Sequence, residues 1–361
     1  MSVNVTADIL SRFALDSPVE SVEGYGRGHI NDTSLVVTRA GKRYILQRIS
    51  TEVFHNVPGL MSNVQKVTEY LKANGKSGMT VLDLVPAADG ASYVSADSGY
   101  WRVYGFVGNS LCLQEPECDE DFCESARGFA SFMNDLADFP VGELCESIPN
   151  FHNTPDRYRI FRETLKKDPL GRAKDCQPEI DFFLACEAEM GLLEGERRQG
   201  LLPVRVTHND TKLNNLLLDK NTRRSLCVLD LDTVMPGLSL YDYGDAIRYG
   251  AMTVSEDERS LDKVSMSLSR FEAFTRGWLE KCTSLTEEEI HLLPLGAKTM
   301  TVECGLRFLT DYIDGDRYFG CHRDGQNLDR ARTHIRLAQD MERKQSEMDR
   351  IISVVRGDGS D

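Results

Sequence analysis

One stretch of this chain, residues 204–232, limits the possible folds more than any other. It reads VRVTHNDTKLNNLLLDKNTRRSLCVLDLD, in which the apolar runs 216–218 and 226–229 are separated by a polar turn. Two such runs on either side of a turn predict a pair of short strands. Polar groups flank both runs, so they lie at strand ends, where they can act together. They are Asp210, Lys212, Asn215, Asp230 and Asp232.

The spacing of these groups suits phosphoryl transfer. His208-x-Asp210, followed five residues later by Asn215, has the spacing of a kinase catalytic loop. Asp210 can orient an acceptor hydroxyl and take its proton, and Lys212 can put positive charge where negative charge builds up. Asn215 and Asp230 offer the hard oxygen atoms that Mg²⁺ prefers. We therefore predict that Asp210 and Lys212 are catalytic and that Asn215 and Asp230 bind magnesium; a solvated turn would not require this spacing.

Charge and composition limit the partners. The chain of 361 residues carries 42 Lys and Arg against 57 Asp and Glu, a net charge of -15. Nucleic acids and anionic membranes need a basic surface, so we expect neither as a partner. No apolar run approaches the roughly 18 residues of a membrane span. The ten cysteines include no CxxC pair, and the first residues do not resemble a signal peptide. We therefore expect a cytoplasmic protein with reduced thiols.

The rest of the chain divides near residue 107. Residues 20–107 predict a strand, a glycine-rich turn, a hairpin, one helix and two further strands. From about residue 119 the apolar residues recur at helical spacing. We therefore expect an α+β fold with two lobes, a small antiparallel sheet with one helix in residues 1–107 and a larger, mainly helical lobe in residues 108–361. Helices of the second lobe are predicted at 157–168, 178–195, 257–282, 286–314 and 326–355.

Several motifs together resemble a known family. HNDTKLNNLLLD and LDLDTVMPGLSLYDYGD are similar to the paired motifs of the aminoglycoside/choline phosphotransferase branch of the protein-kinase-like fold. GYGRGHINDT with YILQRI, and RFLTDYIDGDRYF with NLDRARTHIRLAQ, look like the N-acetylhexosamine 1-kinases. Those enzymes phosphorylate the anomeric hydroxyl of N-acetylglucosamine and N-acetylgalactosamine. The resemblance covers about residues 20–345 and implies a bilobal kinase-like fold, ATP and Mg²⁺ as cofactors and a small sugar as acceptor.

The resemblance also implies a nucleotide site in the first lobe. Arg48 falls where kinases carry the strand lysine that holds the α- and β-phosphates, although an exposed position on the sheet is the alternative. Gly26 and Gly28 would belong to a flap over the phosphates, unless they form an ordinary hairpin loop. Phe106 lies in the stretch where backbone groups grip the adenine. The predicted helix at 59–72 should supply an acidic partner for Arg48. Glu69 is its only acid, and Asn63 or Gln65 could occupy the matching place instead.

The predicted acceptor residues lie in the motifs that resemble those of the N-acetylhexosamine 1-kinases. His29 and Asp32 come after the glycines, near the acceptor or the phosphates in the sugar-kinase interpretation, or else they only stabilise their own turn. Arg307 and Asp311 are four residues apart on a predicted helix and share a face. They could form a plain surface pair, or they could line a sugar pocket with Tyr318. We predict that the sugar contacts His29, Asp32, Asp210, Arg307, Asp311 and Tyr318.

Other functions remain open at this point. A kinase of the same fold could act on an aminoglycoside, choline, a methylthioribose or homoserine. A non-catalytic pseudokinase is disfavoured, because Asp210, Asn215 and Asp230 are all present. A metal-dependent phosphohydrolase is disfavoured too, because no other histidine clusters with His208.

Overall fold

The structure is a computed structural model that describes residues 3–26 and 30–358. Gly28 and His29, two of the predicted ligand-binding residues, lie outside the described residues. The strands are β1 (Val19–Gly24), β2 (Asp32–Thr38), β3 (Arg43–Ile49), β4 (Leu84–Val85), β5 (Val94–Ala96), β6 (Gly99–Gly105), β7 (Ser110–Cys112), β8 (Arg205–Thr207), β9 (Leu216–Asp219), β10 (Ser225–Val228) and β11 (Met235–Gly237). The helices are α1 (Val3–Ser11), α2 (Val57–Asn74), α3 (Asp119–Asp135), α4 (Thr154–Lys167), α5 (Gln177–Met190), α6 (Leu192–Gln199), α7 (Ser239–Gly250), α8 (Leu268–Lys281), α9 (Glu287–His291), α10 (Leu293–Asp314), α11 (Gln326–Arg343) and α12 (Gln345–Arg356).

The N-terminal strands form one antiparallel sheet in the order β1-β2-β3-β6-β4, with β5 also paired to β6. The sheet has two different faces. On the outer face, Tyr44, Leu46 and Trp101 pack in a small cluster with residues of α1. On the opposite face, which we call the cleft face, Ile45 and Ile49 pack in the main core with α2. Residues of β3 alternate between the two faces, as strand geometry requires.

The register of β3 against β6 decides which polar groups share which face. Arg48 is paired with Trp101, and Gln47 is paired with Arg102. Directly paired residues of neighbouring strands lie on the same face. Arg48 therefore lies on the outer face, and Gln47 and Arg102 lie on the cleft face.

The chain leaves this sheet after β6. The next strand, β7, pairs with β9 in a separate three-stranded sheet, and β8 pairs with β11 in a third. Apart from β7, all strands of the two small sheets lie in the segment 205–237, which we call the catalytic segment. They pack against α3, whose buried Phe129 and Ala130 belong to the same core as Leu216 and Leu218.

Close helix packing brings α7 and α10 together beside the catalytic segment. A Cβ added at Gly244 of α7 would lie 2.3 Å from the carbonyl oxygen of Gly296 of α10. Only a residue without a side chain permits this approach. The contact holds α7, which lies under the catalytic loop, against the helix that carries Arg307.

The predicted α+β, bilobal, protein-kinase-like fold is confirmed, with a sheet and one long helix before residue 107 and mainly helices after it. The predicted helix at 257–282 is wrong in its first half, because α8 begins only at Leu268. There the side chain of Asp340 accepts hydrogen bonds from Met266 N and Ser265 Oγ, so a tertiary contact holds the segment outside a helix. The other long helices are interrupted, at Gly191, Leu292 and Lys344. No helix in the described part of the chain is long and apolar enough to cross a membrane.

Candidate active site

A buried carboxylate holds the catalytic loop from below. Oδ2 and Oδ1 of Asp242, on α7, accept hydrogen bonds from the backbone N–H groups of His208 and Asn209 at 2.8 and 2.6 Å. Burial raises the pKa of Asp242 to about 6, although these hydrogen bonds and nearby His208 favour its charged form. The loop that carries Asp210 is therefore fixed to a helix of the second lobe.

His208 fixes the same loop to the following strand. Its Nε2 lies 2.7 Å from the carbonyl oxygen of Leu229, so this nitrogen donates the hydrogen bond. Its Nδ1 faces the backbone N–H of Asp210 at 3.3 Å, and the edges of Phe129 and Phe132 enclose the ring. The buried His208 thus orients the loop and is not available to substrate.

Asp210 is held in its ionised form. Lys212 Nζ lies 3.4 Å from Asp210 Oδ1, and Asn215 Nδ2 donates to Asp210 Oδ2 at 2.9 Å. Burial alone would raise the pKa of Asp210, but Lys212, His208 and Asn215 together hold it below its ordinary value. In turn, Asp210 raises the pKa of Lys212. Asp210 can therefore accept a hydrogen bond from an acceptor hydroxyl, with a fixed positive charge beside it.

The predicted metal ligands are neighbours in the fold. Leu229 N donates to the carbonyl oxygen of Asn215 at 2.7 Å, which brings Asn215 next to Asp230. Because Asn215 commits its amide nitrogen to Asp210, its amide oxygen is turned elsewhere and can serve as a ligand. Asp230 has a left-handed backbone, with φ of 52°, and lies two residues after the end of β10.

The charges around Asp230 fit a divalent cation. Its side chain is open to the cleft, yet the surrounding protein and the negative charges of Asp232 and Asp210 raise its pKa above the usual range. Crowded carboxylates of this kind are stabilised by a bound cation. One carboxylate and one amide oxygen form a hard donor set of the type that Mg²⁺ binds together with phosphate oxygens. Asn215 and Asp230 would hold such an ion.

Arg102, in β6 of the N-terminal sheet, reaches the segment that carries Asp230 and Asp232. Its Nη1 donates to Asp232 Oδ1, and its Nε donates to Gln47 Oε1 at 3.0 Å. The side chains of Arg102 and Asp232 are only 1% and 2% exposed. Asn31, just before β2, donates to the other oxygen of Asp232 at 2.7 Å. Sequence reasoning identified Asp232 only as a polar neighbour and missed Arg102, because a lone arginine in an apolar strand shows no partner.

The structure does not support the predicted roles of Arg48 and Asp32. The two residues form an ion pair at 3.6 Å with side chains 46% and 59% exposed. Both lie on the outer face, away from Asp230, since they are paired in the register of β2 and β3. Strand alternation places Arg48 on the same face as Tyr44 and Leu46. It could not tell which face of the strand is turned to the cleft.

The helix supplies no acidic partner for a strand cation. Asn63 of α2 instead bonds the backbone at Cys145 and Val234, and Glu69 accepts a hydrogen bond from Gln65. The polar contact of α2 with Arg102 runs from Nη1 of Arg102 to the sulfur of Met61, at 3.8 Å. The acid comes from Asp232 instead.

Two predicted nucleotide-site residues lie at the junction of the lobes. Gly26 has φ of 79°, a left-handed conformation that favours glycine. The preceding residue, Tyr25, contacts the ring of Phe106 edge-on, with centroids 6.0 Å apart. The guanidinium of Arg43 stacks on the same ring at 4.0 Å. Phe106 therefore packs against Tyr25 and Arg43, where the chain leaves β6.

An arginine surrounded by aromatic rings lies on the other side of the catalytic loop. The guanidinium of Arg307, on α10, is 5.1 Å from the ring of Phe151, 5.8 Å from Tyr318 and 5.5 Å from Phe319. Among the described residues, no side chain or backbone group is hydrogen-bonded or ion-paired to it. Arg157 donates to the carbonyl oxygen of Phe151 at 3.0 Å, and burial and then the charge of Arg307 lower its pKa. We call these five residues the acceptor wall.

Asp311 does not line this wall. Its carboxylate accepts hydrogen bonds from the backbone N–H groups of Arg317, Tyr318 and Phe319 at 2.8 to 2.9 Å. It also accepts one from Asn327 Nδ2 at 2.9 Å. Its oxygens are therefore used within the chain. The prediction of a sugar contact is corrected: Asp311 holds the loop that carries Tyr318, and it makes no pair with Arg307.

A buried pair joins the acceptor wall to the catalytic loop. His152 Nε2 lies 3.1 Å from the carbonyl oxygen of Asn209, and its Nδ1 lies 2.8 Å from Glu303 Oε1. Thr154 Oγ1 donates to Glu303 Oε2 at 2.7 Å. Glu303 lies one helical turn before Arg307 on α10. Nothing in the sequence marks His152 and Glu303 as a pair, because they are 151 residues apart.

A two-lobed fold with a small antiparallel sheet, an Asp–Asn catalytic loop and a further Asp after the next strand defines a phosphotransferase of the protein-kinase-like fold. Residues 21–263 match the phosphotransferase enzyme family (APH), so the chain belongs to that family. It is an ATP-dependent phosphotransferase with a hydroxyl acceptor.

Solved structures agree with the fold. A microcompartment-associated aminopropanol kinase is 18% identical with a TM-score of 0.69, and the match covers 96% of this chain and 99% of that one. An aminoglycoside phosphotransferase from Alicyclobacillus acidocaldarius is 14% identical, with a TM-score of 0.63 and coverage of 97% and 96%. A spectinomycin phosphotransferase in complex with ADP and spectinomycin is 10% identical, with a TM-score of 0.63 and coverage of 95% and 99%. At these identities the likeness concerns the fold, not the acceptor.

Proposed function

We propose that this enzyme phosphorylates the anomeric hydroxyl of N-acetylhexosamines, with ATP and Mg²⁺. The observation that carries the proposal is Arg307, a guanidinium without an acidic partner among the described residues and in contact with three aromatic rings. A guanidinium donates hydrogen bonds to neutral oxygens such as an acetamide carbonyl or sugar hydroxyls. An exposed aromatic ring such as Tyr318 covers the apolar face of a pyranose.

The charges near the acceptor wall disfavour a cationic acceptor. The carboxylate of Glu303 is used by His152 and Thr154, and those of Asp245 and Glu256 are both paired with Arg248. An ammonium group needs an unpaired carboxylate and would be repelled by Arg307 and Arg157. Aminoglycosides, choline and amino alcohols are therefore poor candidates, and a neutral acceptor that offers oxygen atoms is favoured.

The chemistry assigned to each residue follows from its surroundings. Asp210 orients the acceptor hydroxyl and takes its proton as the oxygen attacks the γ-phosphorus; the bond from that phosphorus to the β,γ-bridging oxygen breaks, and ADP leaves. Lys212 stabilises the negative charge that develops on the transferred group. Asn215 and Asp230 hold Mg²⁺, which when bound neutralises charge on the phosphates. The anomeric hydroxyl is more acidic than an ordinary alcohol, so the low pKa of Asp210 is compatible with this role.

An acceptor panel tests the proposal. The protein is incubated with ATP, Mg²⁺ and, separately, N-acetylglucosamine, N-acetylgalactosamine, glucose, an aminoglycoside, choline and aminopropanol, and ATP consumption is recorded. We expect turnover with the two N-acetylhexosamines, and phosphorus NMR of the product should show a phosphate coupled to the C1 proton. The same panel with Asp210→Asn controls for contaminating kinases. Turnover of a cationic acceptor alone, or a phosphate coupled to the C6 protons, would overturn the assignment.

A further inference from the structure

The segment that follows Asp230 is held by N-terminal elements from several directions. Besides Arg102, which is fixed by Gln47, the carboxylate of Asp232 binds Asn31. Asn31 is itself anchored, since its Oδ1 accepts a hydrogen bond from Ser50 N at 3.0 Å, just after β3. The carboxylate of Asp232 is therefore bonded directly to Arg102 in the middle of β6 and to Asn31 before β2. Through Asn31 it is also connected to the end of β3.

The same segment is bonded to the catalytic loop. Thr233 Oγ1 donates to the carbonyl oxygen of His208 at 2.7 Å, and Asn209 Nδ2 donates to the carbonyl oxygen of Thr233 at 2.9 Å. The carbonyl oxygen of Asp232 accepts from Ser147 Oγ at 2.8 Å. A movement of Asp232 would therefore be transmitted in both directions, to Asp230 before it and to the catalytic loop beyond Thr233.

This arrangement differs from the protein-kinase arrangement in the source of the acid. In protein kinases a strand lysine pairs with a glutamate of the N-lobe helix, so that the position of the helix controls the pair. Here α2 offers Met61 to Arg102, and the acid is Asp232, only two residues after Asp230. The cation of the sheet is thus tied to the metal-binding segment itself, without the helix as an intermediate.

We propose that Asp232 is a positioning residue for the metal site and that Asn31 and Arg102 hold it as one unit with the N-terminal sheet. Asn31 lies immediately before β2, so this unit couples the start of β2 to the position of Asp230. The proposal rests on the proposed role of Asp230 as a magnesium ligand. Groups that orient metal ligands without touching the metal typically change metal affinity or activity about 10- to 100-fold when they are replaced.

The decisive variant is Asn31→Ala, because it removes one hydrogen bond to Asp232 and leaves the buried ion pair in place. Binding of a non-hydrolysable ATP analogue is measured by calorimetry without Mg²⁺ and with saturating Mg²⁺. We expect the Mg²⁺-dependent gain in affinity to fall about tenfold, while the Mg²⁺-free affinity and the acceptor KM stay within about twofold of wild type. In a folded Asp232→Asn variant, the Mg²⁺-dependent gain should be reduced by as much as about 100-fold.

The matched control is Asp83→Asn, which breaks the exposed pair of Asp83 with Lys72 in the same lobe and should leave the Mg²⁺-dependent gain at the wild-type value. A merely structural role of Asn31 would lower the melting temperature and all affinities together, and that outcome would overturn the proposal. So would an unchanged gain in Asn31→Ala. Asp230→Ala separates the metal-ligand role of Asp230 from the positioning role of Asp232. If Asp230→Ala also keeps the Mg²⁺-dependent gain, the metal-ligand role has failed. If Asp230→Ala loses the gain while Asn31→Ala and Asp232→Asn keep it, only the positioning role has failed.

Discussion

The catalytic segment, which carries Asp210, and the acceptor wall meet where His152 contacts the carbonyl oxygen of Asn209, but the chain builds them differently. The groups that would move the phosphate come from residues 205–237, in which β9 and β10 form a hairpin and β8 pairs with β11. The acceptor wall joins residues 151–157 to residues 307–319, which are far apart in the chain and meet through the buried His152–Glu303 pair and the contact of Arg307 with Phe151. Local chain geometry therefore specifies the chemistry, and long-range packing specifies the acceptor.

The largest effect should come from the catalytic segment. Asp210→Asn removes the charge that accepts the hydroxyl proton but keeps the size of the side chain and its contact with Asn215. We expect kcat to fall about 10²- to 10⁴-fold, the usual contribution of a general base, with nucleotide affinity unchanged. Steady-state kinetics and calorimetry check both parts. Asp219→Asn, in the turn of the same hairpin, is the control and should retain kcat; near-normal turnover by Asp210→Asn would remove the base from the proposed mechanism.

A change in the acceptor wall should alter the KM for the acceptor and leave the chemical step unaffected. Arg307→Met keeps the length of the side chain and its packing on Phe151 but removes the hydrogen-bond donors. Hydrogen bonds to a charged group contribute about 1.5–3 kcal/mol, so we expect the acceptor KM to rise about 10- to 100-fold. The KM for ATP should not change.

Arg317→Met controls for a general loss of positive charge, because Arg317 is an exposed arginine paired with Asp314 near the end of the same helix. Its acceptor KM should match wild type. If Arg307→Met instead lowers kcat and leaves the acceptor KM unchanged, the acceptor does not lie against this wall. The two-part description of the site would then need revision.

The buried pair between the two regions predicts a dependence of stability on pH. Burial would raise the pKa of Glu303, but His152 holds it at about 2. The folded pKa is below the unfolded value of 4.5, so the stabilisation is fully present above about pH 4.5 and is lost as the pH falls toward 2. A shift of this size corresponds to about 3 kcal/mol.

Urea unfolding of wild type and Glu303→Gln between pH 2 and 7 measures this dependence. We expect the variant to be less stable by about 3 kcal/mol at neutral pH, with a difference that shrinks on acidification. Glu163→Gln, which breaks the exposed pair with Arg159, should show a small difference at every pH. A Glu303→Gln difference that stays constant with pH would mean that Glu303 acts through packing alone.

The same contrast explains which features the sequence could predict. The β9–β10 hairpin, the spacing of Asp210, Asn215 and Asp230 and the two-lobed order of elements follow from local periodicity, and Asn215 and Asp230 lie within two residues of an end of β9 and β10. The start of α8 could not be predicted, because Asp340 acts on residues 265–266 from 74 residues away. Arg157, His152 and Glu303 could not be found either, since nothing in their spacing marks them as neighbours. Alternation alone grouped Arg48 correctly with Tyr44 but could not tell the outer face from the cleft face.

The smallest effect tests that distinction between faces. Arg48 and Arg102 lie on opposite faces of one sheet, and of the two only Arg102 is paired with Asp232, two residues after Asp230. Arg48→Gln breaks an exposed pair, and such pairs contribute about 0–1 kcal/mol, so chemical denaturation should show a loss within that range. The ATP KM should remain within about twofold of wild type, because a screened outer-face charge acts weakly across the sheet. A tenfold rise in the ATP KM would show that Arg48 reaches the phosphates when nucleotide binds, and the outer face would then have to turn toward the cleft during the reaction cycle.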